Sequence, residues 1–184
     1  MKSRILFLAL FFLMFNILSV FAQSSSRKSR SLSEGFYPLS VCEIIDAETM
    51  KLSDGQVIKL IGIDTPEFEK SGKLYAEAKM AGIPVEVFEV MGNEAVMFVR
   101  SLVTDKKIRI ELDEQEKNLY GVLLVYVFLL EPGEGEIFLN EKIIEQGYSR
   151  FIDTSPNLRF SNLFKKTFQL ASQKATGLWK QWLR

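Results

Sequence analysis

The chain of 184 residues contains no histidine and a single cysteine, and these scarcities exclude whole classes of chemistry. Without histidine there is no Ser-His-Asp or Cys-His catalysis, no imidazole metal ligand and no histidine general base. Cys42 stands alone, which excludes an intrachain disulfide, and its apolar surroundings predict a small buried side chain rather than a nucleophile. Any hydrolysis must therefore use carboxylates, a metal ion and cationic side chains.

The chain also lacks an excess of positive charge, since 23 basic residues face 23 acidic ones. Nucleic-acid-binding domains are usually basic, so this balance predicts weak binding to a polynucleotide at most. The distribution is uneven, because residues 150–184 carry seven basic side chains and one acid, Asp153. Such a run is more often a solvated helix face than an electrostatic footprint for phosphate, and both interpretations stay open.

One apolar run approaches the length of a membrane span. Residues 5–22 are almost entirely apolar, follow the basic residues Lys2 and Arg4, and end in the small residue Ala22. This pattern predicts a signal peptide over residues 1–22 and a secreted or periplasmic protein, with no stable membrane association after cleavage. An uncleaved N-terminal membrane anchor is the alternative. Cleavage would leave 21 basic against 23 acidic residues, a net charge of −2.

The remaining chain predicts a flexible Ser-, Arg- and Lys-rich lead-in over residues 23–36 and one domain over residues 37–184. Apolar periodicity bounded by turn residues indicates five strands, with one helix after the third strand and two near the C-terminus. This order predicts an α+β fold, a five-stranded Greek-key β-barrel of the OB type with three helices. The predicted strands cover residues 39–45, 49–52, 57–63, 106–112 and 120–130.

Finer predictions concern the ends of these elements. Asn93 and Asn140 are the expected N-caps of the first two helices, and Pro156 is expected in the first turn of the last. Residues 113–118 are expected to form a polar loop. Residues 68–91 are interpreted as a long functional loop or lid that contains one short helix.

Three carboxylates lie near predicted strand ends in one short stretch of sequence. Glu48 belongs to the segment 45–49, whereas Asp64 and Glu67 belong to Ile63-Asp64-Thr65-Pro66-Glu67. If the strands are neighbours, the carboxylates converge on one hard cation and one water, which is the minimum for metal-assisted hydrolysis. For an isolated Asp-Thr-Pro-Glu, carboxylates that only cap turns would be the commoner explanation.

Six segments follow one another in a recognisable order: Ile45–Thr49, Ile61–Glu67, Gly92–Val99, Leu119–Val127, Leu139–Gly147 and Gly177–Trp179. Together they resemble the staphylococcal-type thermonuclease family, also called SNase-like, which has an OB fold. The resemblance extends over roughly Ser40 to Trp179 and implies calcium-dependent cleavage of DNA and RNA phosphodiesters. We expect the protein to be a monomer.

Residue by residue, the resemblance implies a metal side and a substrate side of the site. Glu48, Asp64 and the backbone carbonyl of Thr65 would bind Ca²⁺, and Glu67 would position or activate the attacking water. On the substrate side, Lys59 would contact the scissile phosphate as a catalytic and substrate-binding residue. Tyr120 would line the nucleotide site.

The chain departs from the family pattern at four positions in or beside this site. Glu48 replaces an aspartate and is one methylene longer, and Ala47 replaces the neighbouring glycine. Lys59 replaces an arginine, which keeps the charge but loses the bidentate fork. Val122 replaces a second arginine, where no charge remains. Loss of one preorganised donor typically costs about 10²–10³ in rate.

Two hypotheses therefore stay open. In the first, the protein is a secreted nuclease weakened by the loss of site arginines, with Lys117, Lys70 or Lys73 as a substitute cation. In the second, the fold persists as a catalytically inactive module that binds an oligonucleotide, a small anionic ligand or a protein partner.

Overall fold

The computed structural model describes residues 39–133 and 135–182, so the predicted signal peptide and lead-in lie outside the described residues. Within these ranges lie eight strands and five helices. The strands are β1 (Leu39–Ile44), β2 (Thr49–Leu52), β3 (Val57–Leu60), β4 (Ile63–Asp64), β5 (Lys107–Lys117), β6 (Leu123–Glu131), β7 (Gly135–Phe138) and β8 (Arg150–Phe151). The helices are α1 (Gly72–Ala81), α2 (Val85–Val103), α3 (Leu139–Glu145), α4 (Ser161–Gln173) and α5 (Trp179–Trp182). None of the described helices is long and apolar enough to cross a membrane.

Five strands close into a barrel in the order β3-β2-β1-β5-β6, and β7 extends the sheet beyond β6. The neighbours are antiparallel except at the closure, where β3 pairs with β6 in parallel and Lys59 lies opposite Leu124. A separate two-stranded sheet joins β4 to β8. The α+β class and the five-stranded OB-type barrel are thereby confirmed, although the three predicted helices become five.

The core follows from strand and helix periodicity. Alternate residues of β2 and β3 point inward, as Met50, Leu52 and Ile58 show by their complete burial. On α2, the buried stripe recurs every four residues through Ala95 and Val99 and packs against the barrel. Trp179 is buried and meets the Phe168 ring edge-on at 5.0 Å, so the C-terminal helix α5 begins in the core.

The interpretation of residues 68–91 as a long loop is wrong. Helix α1 spans most of its first part, and α2 begins at Val85, directly after its N-cap residue Pro84. Proline starts the helix rather than breaking it, because its fixed φ and missing N–H suit a helix N-terminus. Asn93 is therefore not a cap but lies inside α2, where its amide donates to the Glu89 carbonyl.

Two other predicted element ends are corrected by tertiary contacts. The expected polar loop at 113–118 is mostly strand, because β5 runs to Lys117 and the Asn157 amide pairs with both backbone groups of Gln115. Pro156 does not open a helix, since the chain turns from Thr154 to Asn157 and α4 begins only at Ser161.

Asn140 and Cys42 are also placed differently from the prediction. Asn140 lies in the first turn of α3 and is fully buried, and its amide binds the backbone of the barrel rather than capping the helix. Cys42 is exposed instead of buried, because the register of β1 against β2 slips between Val41 and Glu43. Its thiol donates to the Lys51 and Leu52 carbonyls.

Candidate active site

The segment that leaves the barrel after β3 carries three of the six candidate site residues, and three contacts hold it. The Ile61 carbonyl accepts from the buried amide of Asn140 at 2.9 Å. In the β4–β8 pair, Asp64 lies opposite Arg150, and the Asp64 N–H donates to the Ser149 hydroxyl at 2.9 Å. The backbone that carries Asp64 is thus tied both to the barrel and to β8.

The turn between β1 and β2 brings Glu48 to the same place. The Asp46 carboxylate accepts from the Glu48 N–H at 2.7 Å, which shapes the turn, and the Glu48 carbonyl accepts from Leu60 of β3. The Glu48 side chain is buried, with Oε1 at 3.4 Å from the Thr65 N–H and 3.5 Å from its hydroxyl. Ala47 is buried without a left-handed φ, so the turn needs no glycine there.

Lys59 faces Glu48 across the β2–β3 hairpin. The register places Lys59 opposite Thr49, and its Nζ lies 2.9 Å from Glu48 Oε2. Burial raises the pKa of Glu48, and Asp46 adds to this, whereas the ammonium of Lys59 opposes the rise. We call Lys59 and Glu48 the barrel pair.

Asp64 also has a cationic partner, which the sequence did not single out. Arg150 Nη2 lies 2.6 Å from Asp64 Oδ2, a distance typical of a strong charge-assisted hydrogen bond. In the sequence, Arg150 is only one of seven basic residues near the C-terminus. Its place at the site follows from the β4–β8 register, which no local pattern in the chain announces.

The Glu67 carboxylate is held by backbone N–H groups of the two residues that follow it and by a lysine of helix α1. Its Oε1 accepts from the N–H groups of Phe68 at 3.1 Å and Glu69 at 3.3 Å, while Lys73 Nζ of α1 lies 3.4 Å from Oε2. Gly92 of α2 packs against this segment so closely that an added Cβ would lie 2.7 Å from the Glu67 carbonyl oxygen. We call Lys73 and Glu67 the helix pair.

Of the three lysines considered as substitute cations, Lys73 contacts a carboxylate of the site. Burial alone would lower the pKa of Lys73, but Glu77, Glu48 and Glu67 together raise it. Lys70 lies 4.0 Å from Glu89 instead, and Lys117 lies opposite Leu123 at the end of β5.

The expected nucleotide side of the site is a turn that offers one exposed aromatic side chain and one apolar side chain. The Asn118 side chain accepts from the N–H groups of Tyr120 and Val122 and thereby builds the turn before β6. Tyr120 is 91% exposed on this turn. Val122 directly precedes Leu123, which lies opposite Ile58 of β3, so an apolar side chain stands one strand away from Lys59.

The oxygens near Asp64 fit a calcium ion in type. Carboxylates and a backbone carbonyl are the hard ligands that Ca²⁺ prefers, and Glu48, Asp64 and Thr65 offer these. Among the residues that the structure describes, no three His, Cys, Asp or Glu side chains form a metal-binding group. The expected set contains only two carboxylates, and each is paired with a cation that a metal ion would have to displace or share.

Comparisons with known proteins decide the relationship. The model of a family described as staphylococcal nuclease homologue matches residues 57–181. The chain belongs to the staphylococcal nuclease family. It is 31% identical to the thermonuclease of Staphylococcus hyicus over 142 residues, which is 76% of this chain and 73% of the relative. The thermonuclease of Staphylococcus intermedius is 29% identical over 144 residues, 77% and 75% of the two chains.

A further relative comes from a different organism. An uncharacterized protein of Methanocaldococcus jannaschii is 26% identical over 147 residues, 76% of this chain and 70% of that one. Within this chain, Lys59, Asp64, Thr65, Glu67 and Tyr120 lie inside the matched residues of the family model. Glu48 lies before their start and joins the site through the β1–β2 turn.

Proposed function

We propose that the protein hydrolyses phosphodiester bonds of DNA or RNA in a calcium-dependent reaction, at a rate reduced by the loss of cationic groups. One observation supports the proposal: Thr65, which lies between Asp64 and Glu67 in the segment that contains β4, has its N–H 3.4 Å from the buried carboxylate of Glu48. Family membership and the two thermonuclease relatives support it.

In this proposal each residue has a limited task. Two backbone N–H groups hold Glu67 Oε1, and Oε2, which lies 3.4 Å from Lys73 Nζ, would orient a water and accept its proton. Lys59 offers its ammonium to the phosphate, and Glu48, Asp64 and the Thr65 carbonyl would hold the metal ion. A bound Ca²⁺ would supply Lewis-acid stabilisation of the charge that develops on phosphate oxygens.

The decisive experiment measures cleavage of single-stranded DNA and RNA by the purified protein with calcium and with a chelator. We expect calcium-stimulated cleavage, and a loss of about 10²–10⁴-fold in Glu67→Gln, because the amide cannot accept the proton of water. Glu69→Gln is the matched control, since its exposed side chain lies two residues away. Equal rates for the wild type and Glu67→Gln would overturn the proposal.

A second function is favoured because the cations near the site already form ion pairs with carboxylates. Lys59, Lys73 and Arg150 each face a carboxylate, and Val122 offers phosphate neither charge nor a hydrogen bond. These observations suit an inactive module that binds an oligonucleotide, a small anionic ligand or a protein partner. Such a module would bind an oligonucleotide without cutting it, and its affinity would fall steeply with salt.

A gain-of-function variant tests whether the missing guanidinium groups cause the reduced cleavage rate. If the missing guanidinium groups limit the rate, Lys59→Arg combined with Val122→Arg raises calcium-dependent cleavage about 10-fold or more. Val122→Leu with Lys59→Arg is the control for packing at this half-buried position. An unchanged rate would point to Glu48 or Ala47 instead.

We also propose that the protein is exported after cleavage near Ala22 and acts as a monomer. The basic start and the apolar run that follows it support the export and the cleavage. N-terminal sequencing of the protein recovered from culture should begin near Gln23. An intact N-terminus in the membrane fraction would favour the uncleaved anchor.

A further inference from the structure

We propose that Lys73 of α1 is the second cation of the site and binds the substrate phosphate in place of the charge missing at Val122. This inference rests on the proposed function and deepens it, because it assigns phosphate binding to a helix outside the barrel. Lys73 thereby becomes a substrate-binding residue and not only a partner of Glu67.

The position of Lys73 is determined by packing. Ser71 caps α1 by accepting from the Leu74 N–H at 3.2 Å, which fixes the first turn that carries Lys73. On the other face, Leu74 and Ala78 are fully buried against Phe88 of α2. The Lys73 ammonium therefore lies near Glu67 because two packed helices place it there.

The contacts of Lys73 leave it able to take a further partner. Its Nζ lies 3.4 Å from Glu67 Oε2 and 3.7 Å from Glu77 Oε1, both longer than the 2.9 Å of the barrel pair. Its side chain is 53% exposed, so a phosphate in solvent can reach the ammonium. An ammonium has three donors, and long ion pairs rearrange at low cost.

The charges around the site favour the same assignment. Five carboxylates face three cations, those of Lys59, Lys73 and Arg150; the carboxylates are those of Asp46, Glu48, Asp64, Glu67 and Glu77. A divalent ion brings this group to a net charge of zero, so that it does not repel the negative charge of a phosphodiester. Without Lys73 the group would keep a net negative charge and would repel the substrate.

Arg150 is the other cation that could bind the substrate phosphate, but its position favours contact with a candidate metal ligand instead. It lies 2.6 Å from Asp64, a candidate metal ligand, whereas Lys73 lies beside Glu67, where the water would attack. A cation next to Glu67 reaches the phosphate that this water attacks. Lys73 is therefore the better candidate for that contact.

The test compares Lys73→Met, Lys73→Arg and Lys79→Met in the purified protein. Lys79 is the matched control, because it is an exposed lysine in the last turn of the same helix. We expect kcat/KM for single-stranded DNA to fall about 100-fold in Lys73→Met, to recover to within about threefold of wild type in Lys73→Arg, and to stay unchanged in Lys79→Met. Thermal midpoints of the three variants should agree, which excludes a loss of folding.

Binding provides a readout that does not need turnover. With calcium present, the slope of log affinity against log salt for a single-stranded phosphorothioate oligonucleotide, which resists cleavage, should decrease by about 0.7 in Lys73→Met and remain unchanged in Lys79→Met. If the wild type cleaves but the two Met variants behave alike, the Lys73 inference is wrong while the proposed function stands. If the wild type does not cleave, the slope alone decides about Lys73, and a wild type without any binding overturns both.

Discussion

The barrel pair and the helix pair both join a glutamate to a lysine, but they belong to different kinds of structure. Glu48 is 7% exposed in its side chain, and its partner comes from a neighbouring barrel strand at 2.9 Å. Glu67 is 17% exposed, and its partner comes at 3.4 Å from a helix that packs on another helix. The barrel thus builds a buried pair on the proposed metal side, whereas the helices build a more accessible pair on the proposed water side.

This difference in burial indicates which pair contributes to folding stability and which contributes mainly to activity. A buried carboxylate without its partner keeps its full desolvation cost, whereas an exposed ion pair contributes little to folding. The barrel pair should therefore matter for both folding and function. The helix pair should matter mainly for function.

The largest expected effect comes from removing the cation of the barrel pair. Lys59→Met leaves the Glu48 carboxylate buried without an ammonium, so we expect the free energy of unfolding to fall by about 1–3 kcal/mol at neutral pH. Lys73→Met should change it by less than about 1 kcal/mol. Urea denaturation of both variants measures this, and equal losses would remove the distinction between the two pairs.

A smaller effect is expected from moving Glu67 without touching either charge. Gly92→Ala places a methyl group 2.7 Å from the Glu67 carbonyl oxygen, so the segment must shift. We expect kcat to fall about 10-fold or more, because small displacements of a catalytic group are costly. Gly72→Ala is the control, since an added Cβ there meets nothing within 4 Å, and its kcat should remain at the wild-type value. A normal kcat in Gly92→Ala would show that the position of Glu67 tolerates movement.

The smallest effect concerns the pH dependence of stability. The pKa of Glu48 is raised in the folded protein, mainly by burial, so the folded state holds this proton to higher pH than the unfolded state. The contribution of Glu48 to stability is therefore fully present below its ordinary pKa of 4.5 and is lost as the pH rises through the raised value. Glu48→Gln should remove this part of the profile, and denaturation at a series of pH values measures it. Parallel profiles for the two proteins would contradict it.

The barrel was predictable because its strands are local patterns. The alternation in β2 and β3 and the turn between them indicate strands without knowledge of any partner. The places of two candidate carboxylates were predictable for the same reason, since Glu48 directly precedes β2 and Asp64 ends β4.

The cations and the element ends depend on contacts between distant parts of the chain. Arg150 reaches Asp64 through the register of β4 and β8, which are separated by most of the domain. Asn140 looks like a helix cap in the sequence but binds the backbone of Ile61 and Val127 in the fold. Such contacts override local propensity and leave no periodic signal.

The parallel closure of β3 on β6 has a consequence for the protein in concentrated solution. Closure leaves neither strand with an unpaired row of backbone groups, and in the described main sheet this leaves β7 with one unpartnered side. That strand has four residues, and its Glu136 is held by Arg109 of β5. Short, charged edges resist strand addition by a second molecule, so β7 is protected from pairing with another copy at this side.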